Sequence, residues 1–266
     1  MIYRANKKIE FLVKVSRLRF FVVNLLFYPM LDDLERWITI SLEGRDAELQ
    51  SDFTAKRDLI ANEILPDVVD SMVNTAPGAP STSIDSGTKF KIFTPRKENA
   101  HSIAQAIRLI DRGLGELYIK VNGPHWLENK VEEATESGLI YLAVEDEALG
   151  ELRGFISFMH DLDNSLPVLY LYEIHVAEQY RNLKLGSDLL TIYHTVGERI
   201  VRDWKSSIPL VATSLTVFSE NTRALSWYKK QGYEIADHSP KDRQLRNLTR
   251  RPQYYILIRW LQRATE

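Results

Sequence analysis

Glu173 is the residue in this sequence best placed to move a proton. It stands inside the run Leu169-Tyr-Leu-Tyr-Glu-Ile-His-Val176, whose aromatic and branched residues predict a strand over 168–176. Burial in such a strand raises the pKa of a carboxylate toward the range of a general base. A glutamate that merely holds a neighbouring loop is the plainer alternative. His175 is the rival base, because an imidazole titrates near neutrality. As a lone histidine it reads more readily as a core residue bonded to backbone. Strict alternation puts Leu171, Glu173 and His175 on one face of the strand, with Tyr170, Tyr172 and Ile174 on the other.

Two strand-to-helix junctions flank this chemistry. The first is Ala177-Glu-Gln-Tyr-Arg181-Asn-Leu-Lys-Leu-Gly186-Ser-Asp-Leu-Leu190, a basic turn with one glycine that enters a helix. Backbone N–H groups and the positive helix end converge there, as an anion such as pyrophosphate requires. Taken alone, the segment is equally an ordinary turn. The second is Leu215-Thr-Val-Phe-Ser-Glu-Asn221-Thr-Arg-Ala224-Leu-Ser-Trp-Tyr228-Lys-Lys-Gln-Gly232. Asn221 stands at the N-cap position and Gly232 past the helix end. Tyr228, with a phenol pKa near 10, is protonated at neutral pH and suits a general acid; core packing is its other reading.

The elements that must position these groups follow from periodicity. The chain has 266 residues, 44% hydrophobic and 26% charged, with a formal charge of −2. These are globular values, without the basic excess of a nucleic-acid or anionic-membrane binder. There is no cysteine, so disulfides and thiol nucleophiles are excluded, and none of the six histidines has a zinc-helix partner spacing. Residues 1–30 form a basic and apolar extension, too short in its apolar run to span a bilayer and expected to be dispensable. Residues 31–74 carry helical periodicity, divided or kinked at Pro66, and 75–88 read as a linker. From 89 to 262, helix and strand patterns alternate. Strands are expected at 89–94, 139–145, 154–160, 168–176, 211–218, 233–236 and 254–260. Helices are expected at 99–114, 126–137, 185–204 and 222–231, with a loop over 115–124. The fold class is α/β or α+β, a mixed sheet with helices on its faces.

Together, the two junctions resemble the GNAT superfamily of acetyl-CoA-dependent N-acetyltransferases over roughly residues 89–260. Its pyrophosphate signature, Gln/Arg-x-x-Gly-x-Gly/Ala, is matched by Arg181, Leu185 and Gly186, with Lys184 in place of the first glycine. Asn221, Ala224, Tyr228 and Gly232-Tyr233 match the second motif. Leu169-Tyr-Leu-Tyr-Glu173, Leu215-Thr-Val-Phe218 and Tyr233-Glu-Ile-Ala-Asp237-His-Ser-Pro240 look like its NatD branch. That branch acetylates the α-amine of histones H-four and H-two-A, whose termini read Ser-Gly-Arg-Gly-Lys.

The resemblance implies a mostly antiparallel GNAT sheet and acetyl-CoA as co-substrate, without a metal. It implies cofactor contacts by Ile174, Val176, Arg181, Asn182, Leu183, Lys184, Leu185, Gly186, Ser187, Asn221 and Tyr228. It implies catalysis by Glu173, with His175 as rival and Tyr228 as acid. Substrate contacts are implied for Tyr118, Asp161, Tyr170, Tyr172 and Glu173. The arithmetic of amines agrees with an N-terminal substrate: freeing a lysine of its proton at pH 7 costs about 3 kcal/mol more than freeing an α-amine. Histone N-terminal tails are the expected partner. No stable nucleic-acid partner is expected, and no membrane contact by residues 1–29. A monomer in nucleus and cytoplasm is expected. The basic run 241–251 reads as a solvated loop. The alternatives are a GNAT enzyme acting on lysine or a small amine, and a non-catalytic acyl-CoA-binding protein.

Overall fold

The computed structural model describes residues 33–43, 52–73, 88–246 and 248–261. The expected extension 1–30 and most of the linker 75–88 lie outside them. A seven-stranded sheet runs in the order β1-β2-β3-β4-β5-β9-β6, built from β1 (Thr88–Phe93), β2 (Ile140–Asp146), β3 (Leu152–Asp163), β4 (Leu166–Val176), β5 (Ala212–Phe218), β6 (Glu234–Ile235) and β9 (Tyr254–Trp260). All pairs are antiparallel except β4 with β5. The expected mixed sheet flanked by helices is therefore found.

Each face of the sheet carries its own helices. One face packs α6 (Leu185–Asp203) through Leu189, Leu190, Tyr193, Val196 and Ile200, and with it α2 (Asp52–Leu59) and α3 (Leu65–Val73), whose Val68 and Val69 are buried there. The other face packs α1 (Leu34–Glu43), α4 (Ala100–Asn122) and α5 (Trp126–Ala134), with Ile103, Ala106, Ile107 and Ile110 of α4 in the core. Helix α7 (Thr222–Lys230) follows β5, and its Tyr228 belongs to the α6 face.

Four expectations need correction. Helix α4 does not stop at Leu114; it runs to Asn122 and ends at Gly123, whose φ of 78° suits a residue without Cβ, just before Pro124. Gly115 is no C-cap. A Cβ there would meet Asp111 Oδ1 at 2.5 Å, so glycine admits a close contact inside the helix. Pro66 does not divide the second N-terminal helix. A π-helical turn, Ile60–Ile64, widens the coil just before the proline, and α3 continues. Strand β3 extends to Asp163, because Asp161 and Asp163 pair with Val168 and Leu166 instead of forming a loop. The basic run 241–251 is not simply a loop. It holds a two-stranded ribbon, β7 (Arg243–Leu245) against β8 (Leu248–Arg250), with Arg243 opposite Arg250.

Candidate active site

Strand β4 carries a bulge at the centre of the site. Ser157 pairs with Glu173 and Phe158 with Leu171, so β4 spends one extra residue, Tyr172, against β3. The extra residue resets the alternation. Leu169, Leu171, Ile174 and Val176 pack toward α6, while Tyr172 packs toward α4 and α5. Glu173 and His175 lie on this second face as well, against Tyr118, Lys130 and Phe155. The expected grouping of Glu173 with Leu171 is thus wrong. Glu173 and His175 share a face with Tyr170 and Tyr172, whose rings meet edge to face at 5.2 Å.

Glu173 is buried and held by three donors. Its Oε1 accepts from the hydroxyl of Tyr118 at 2.7 Å and from Lys130 Nζ at 2.6 Å. Its Oε2 lies 2.8 Å from His175 Nε2. An ionised carboxylate has about four acceptor sites; on that count one remains, on Oε2. Lys130 also bonds Glu133 and lies 4.6 Å from the centre of the Tyr118 ring. Tyr118 stacks on Trp126 and meets Phe218 edge-on. The expected rise in the Glu173 pKa does not occur. Burial pushes it up, but the Lys130 cation and the His175 hydrogen bond outweigh burial and hold the carboxyl well below its usual range. Lys130 remains a cation: burial opposes its charge, and Glu133 and Glu173 more than restore it.

His175 stacks on Phe155 at 5.8 Å. Its Nδ1 faces Gly113 of α4, where a Cβ would approach to 3.3 Å; the glycine lets the helix lie against the imidazole.

The sheet opens beside this cluster. Pairing of β4 with β5 ends at Leu171–Leu215, so among the described residues the edge of Tyr172–Val176 that faces β5 has no strand partner. Glu173 stands on one face of the opening and Tyr228 on the other, since Tyr228 packs with Val217 and Tyr233 on the α6 side. Among the described residues the Tyr228 hydroxyl has no hydrogen-bond partner. Burial, then Tyr233 and Glu173, push its pKa well above the usual phenol range, so it keeps its proton.

Arg181 to Ser187 form the turn below the opening. Asn182 and Lys184 both have left-handed φ, 64° and 66°. Asparagine adopts this readily; lysine does so at a cost of about 1–2 kcal/mol. Lys184 is the N-cap of α6 and offers no side-chain cap; its carbonyl takes the N–H groups of Ser187 and Asp188. The N–H groups of Leu185 and Gly186 have no partner within the helix. Leu183 at the turn is half exposed, and Arg181 Nε donates to the carbonyl of Val176. Asn221 caps α7 by accepting from the N–H of Ala224 at 3.1 Å. These groups fit a phosphorylated, thioester-bearing ligand, with N–H groups free of the helix ladder at its end, an open strand edge and a tyrosine hydroxyl without a partner among the described residues. Among the described residues no cluster of three or more metal-binding side chains occurs.

The expected substrate residues share the Glu173 face. Tyr118 sits in the last turns of α4 and not in a loop. Tyr170 bonds Thr216 at 2.6 Å. Asp161 is buried on β3, with Oδ2 3.9 Å from Arg57 of α2. Asp163 is pinned by Ser214 and by His238, at 2.5 and 2.9 Å. Sequence reasoning missed Lys130. Its signal lay in the apolar stripe Trp126, Leu127, Lys130, Val131, Ala134, where a lysine is out of place.

Comparison with known proteins supplies the remaining facts. The family described as Acetyltransferase (GNAT) domain matches residues 136–235. N-alpha-acetyltransferase 40 of Saccharomyces cerevisiae is 30% identical over 223 residues, which cover 75% of this chain and 72% of the yeast protein. Among solved structures, the paia N-acetyltransferase of Thermoplasma acidophilum in complex with coenzyme A is 16% identical with a TM-score of 0.42, covering 65% of this chain and 99% of its own. GCN5 of Tetrahymena is 13% identical with a TM-score of 0.46, covering 66% and 98%.

Proposed function

This chain belongs to the GNAT superfamily of acetyltransferases, and we propose that it acetylates the α-amine of histone-type Ser-Gly-Arg-Gly-Lys termini. The observation that carries the reading is the through-opening between β4 and β5, with an ionised acceptor on one face and a protonated phenol on the other. Acetyl-CoA supplies the activated acetyl group as a thioester. The N–H groups of Leu185 and Gly186, with the turn from Arg181 to Ser187, take its pyrophosphate. The free edge of Ile174–Val176 takes its acyl end, and Tyr228 meets its sulfur.

The chain's own groups then divide the proton work. The substrate amine enters from the Glu173 face and uses the remaining site on Oε2. An α-amine has a pKa near 8, so a useful fraction is neutral at pH 7. As the C–N bond forms, the nitrogen becomes a strong acid. Glu173 therefore takes its proton although the carboxylate is a weak base. As the C–S bond breaks, Tyr228 gives its proton to the leaving sulfur. N–H groups of Ile174 and Val176 stabilise the carbonyl oxygen while it carries charge.

Asp161 and Asp163 give the Glu173 face its acidic character, which suits the arginine of the substrate. Tyr170 and Tyr172 line the path between those carboxylates and Glu173. Asp163 is engaged by Ser214 and His238 and Asp161 lies beside Arg57, so a substrate guanidinium at Asp161 would share its carboxylate with that arginine.

Intact-mass measurement of acetyl transfer to three peptides tests the reading. Transfer is expected to a peptide with free Ser-Gly-Arg-Gly-Lys, and none to the same peptide with a blocked α-amine or to an unrelated terminus. Transfer to the blocked peptide would mean lysine chemistry and would overturn it. Silence on all three would leave a small-amine enzyme or a non-catalytic acyl-CoA binder.

Lys184→Gly separates strain from charge in the turn. Glycine relieves the left-handed strain and, after its own larger chain entropy, should gain about 0.5–1 kcal/mol, a Tm rise of about 1–3 °C. If the Lys184 ammonium reaches a phosphate, the Kd for acetyl-CoA rises in the same variant, and more so at low salt. Tighter binding would show that the lysine hinders the ligand.

A further inference from the structure

We propose that Lys130 is the positioning residue that keeps the Glu173 carboxylate ionised and aimed, with Glu133 as its anchor. The proposal rests on the reading of Glu173 as the group that meets the amine. Lys130 occupies the buried stripe of α5, and its side chain is 5% exposed. A lysine there gives up its hydration, and an apolar residue of similar size would usually stabilise the fold as well or better. Packing alone therefore gives no reason for it. Its contacts do. One ammonium touches Glu173 Oε1 at 2.6 Å, bonds Glu133, and lies over the ring of Tyr118, the other donor to the same Oε1. The cation and the phenol thus fix one carboxylate oxygen and leave the second for His175 and the substrate.

The groups facing Glu173 come from five elements. They are Tyr118 of α4, Lys130 and Glu133 of α5, His175 of β4, Tyr141 of β2 and Tyr228 of α7. Arg181 reaches the far side of His175 beside Gly113. Of the cations in this set, Lys130 alone is both permanently charged and in contact with Glu173. Without it, burial dominates and the carboxylate retains a proton toward neutral pH.

Thermal denaturation against pH tests this without reference to catalysis. In the wild type the folded Glu173 pKa lies below the unfolded value of about 4.3, so its contribution is complete above that pH and lost as pH falls through the folded pKa. In Lys130→Met the folded pKa lies above the unfolded value, so stability declines as pH rises between the two. The Tm deficit of Lys130→Met relative to wild type should widen by roughly 5 °C between pH 5 and pH 8. Lys130→Arg should remove most of that widening. Adding Glu173→Gln to Lys130→Met should abolish it. A deficit that stays constant with pH would reduce Lys130 to a packing residue and overturn the proposal. Should Lys130→Met fail to fold, Lys130→Gln carries the same comparison.

Activity supplies a second readout. The slope of log kcat/KM against pH below neutrality should change from one, set by the amine, to two in Lys130→Met, as Glu173 titrates as well. An unchanged slope in folded Lys130→Met would also count against the proposal. A wild-type protein silent on every amine would sink the reading of Glu173 in catalysis and leave the thermal result standing by itself.

Discussion

Replacing Glu173 with glutamine is expected to lower kcat by a factor of roughly 10²–10⁴ and to cost about 2–3 kcal/mol of stability. Both effects have the same source. Glutamine keeps the shape of the side chain but brings no negative charge. Lys130 then stands in the core with Glu133 as its single carboxylate partner, and a buried cation that loses a partner is strongly destabilising. The hydroxyl of Tyr118 retains an acceptor in the amide oxygen, so that bond is not the main loss. Activity falls for a separate reason, because the amide cannot take the proton of the attacking nitrogen.

The two effects can be pulled apart. Combining Glu173→Gln with Lys130→Met removes both charges and leaves packed, neutral groups, so urea denaturation should show most of the stability regained. Acetyl transfer to the free Ser-Gly-Arg-Gly-Lys peptide should stay at the level of Glu173→Gln. The Kd for acetyl-CoA should be nearly unchanged in each variant, since neither side chain belongs to the turn at Arg181–Ser187. A folded Glu173→Gln with full turnover would exclude Glu173 from the chemistry.

The order of elements and the two junctions were legible because each rests on local signals. Hydrophobic period separates α6 from β4, and the cap residue Asn221 marks the start of α7. The faces of the site residues were not legible, for a physical reason. Strict alternation assumes an unbroken ladder, and the bulge at Tyr172 breaks it. One extra residue carries Glu173 from the face of Leu171 to that of Tyr172. No local pattern announces a bulge, because its cause is the register with β3, a non-local partner.

The same limit hid the environment of Glu173. A carboxylate in an apolar strand reads as desolvated, and desolvation alone predicts a raised pKa. The cation that reverses the sign sits 43 residues away on α5. It was detectable only as a lysine in an apolar stripe, and recognising its partner required the packing of α5 over β4. Tyr118 falls within the loop expected over 115–124. In fact Gly115 serves a close approach inside α4, and helix, not loop, aims the Tyr118 hydroxyl at Glu173.

Tyr228→Phe is expected to lower kcat by roughly 10² while leaving folding stability unchanged or slightly improved. The contrast with Tyr233, five residues on, gives the prediction its force. Both rings are buried in the same cluster and meet edge to face at 5.7 Å. The Tyr233 hydroxyl accepts from Thr213 at 3.0 Å and lies 3.1 Å from His194 Nε2, while the Tyr228 hydroxyl has no partner among the described residues. Removing a bonded hydroxyl leaves Thr213 and His194 short of a partner, and burial already holds His194 neutral, with a pKa down to about 3. Tyr233→Phe should therefore lose about 1–2 kcal/mol with little change in kcat. Tyr228→Phe gives up only a hydroxyl that the folded chain does not use, so its loss should appear in turnover. Because the Tyr228 pKa is raised, the acid stays protonated as the medium turns alkaline, and wild-type kcat should hold level to at least about pH 9. If Tyr228→Phe retained wild-type kcat while Tyr233→Phe lost it, the protonating group would have to be sought at Tyr233, behind β5, and not at the opening.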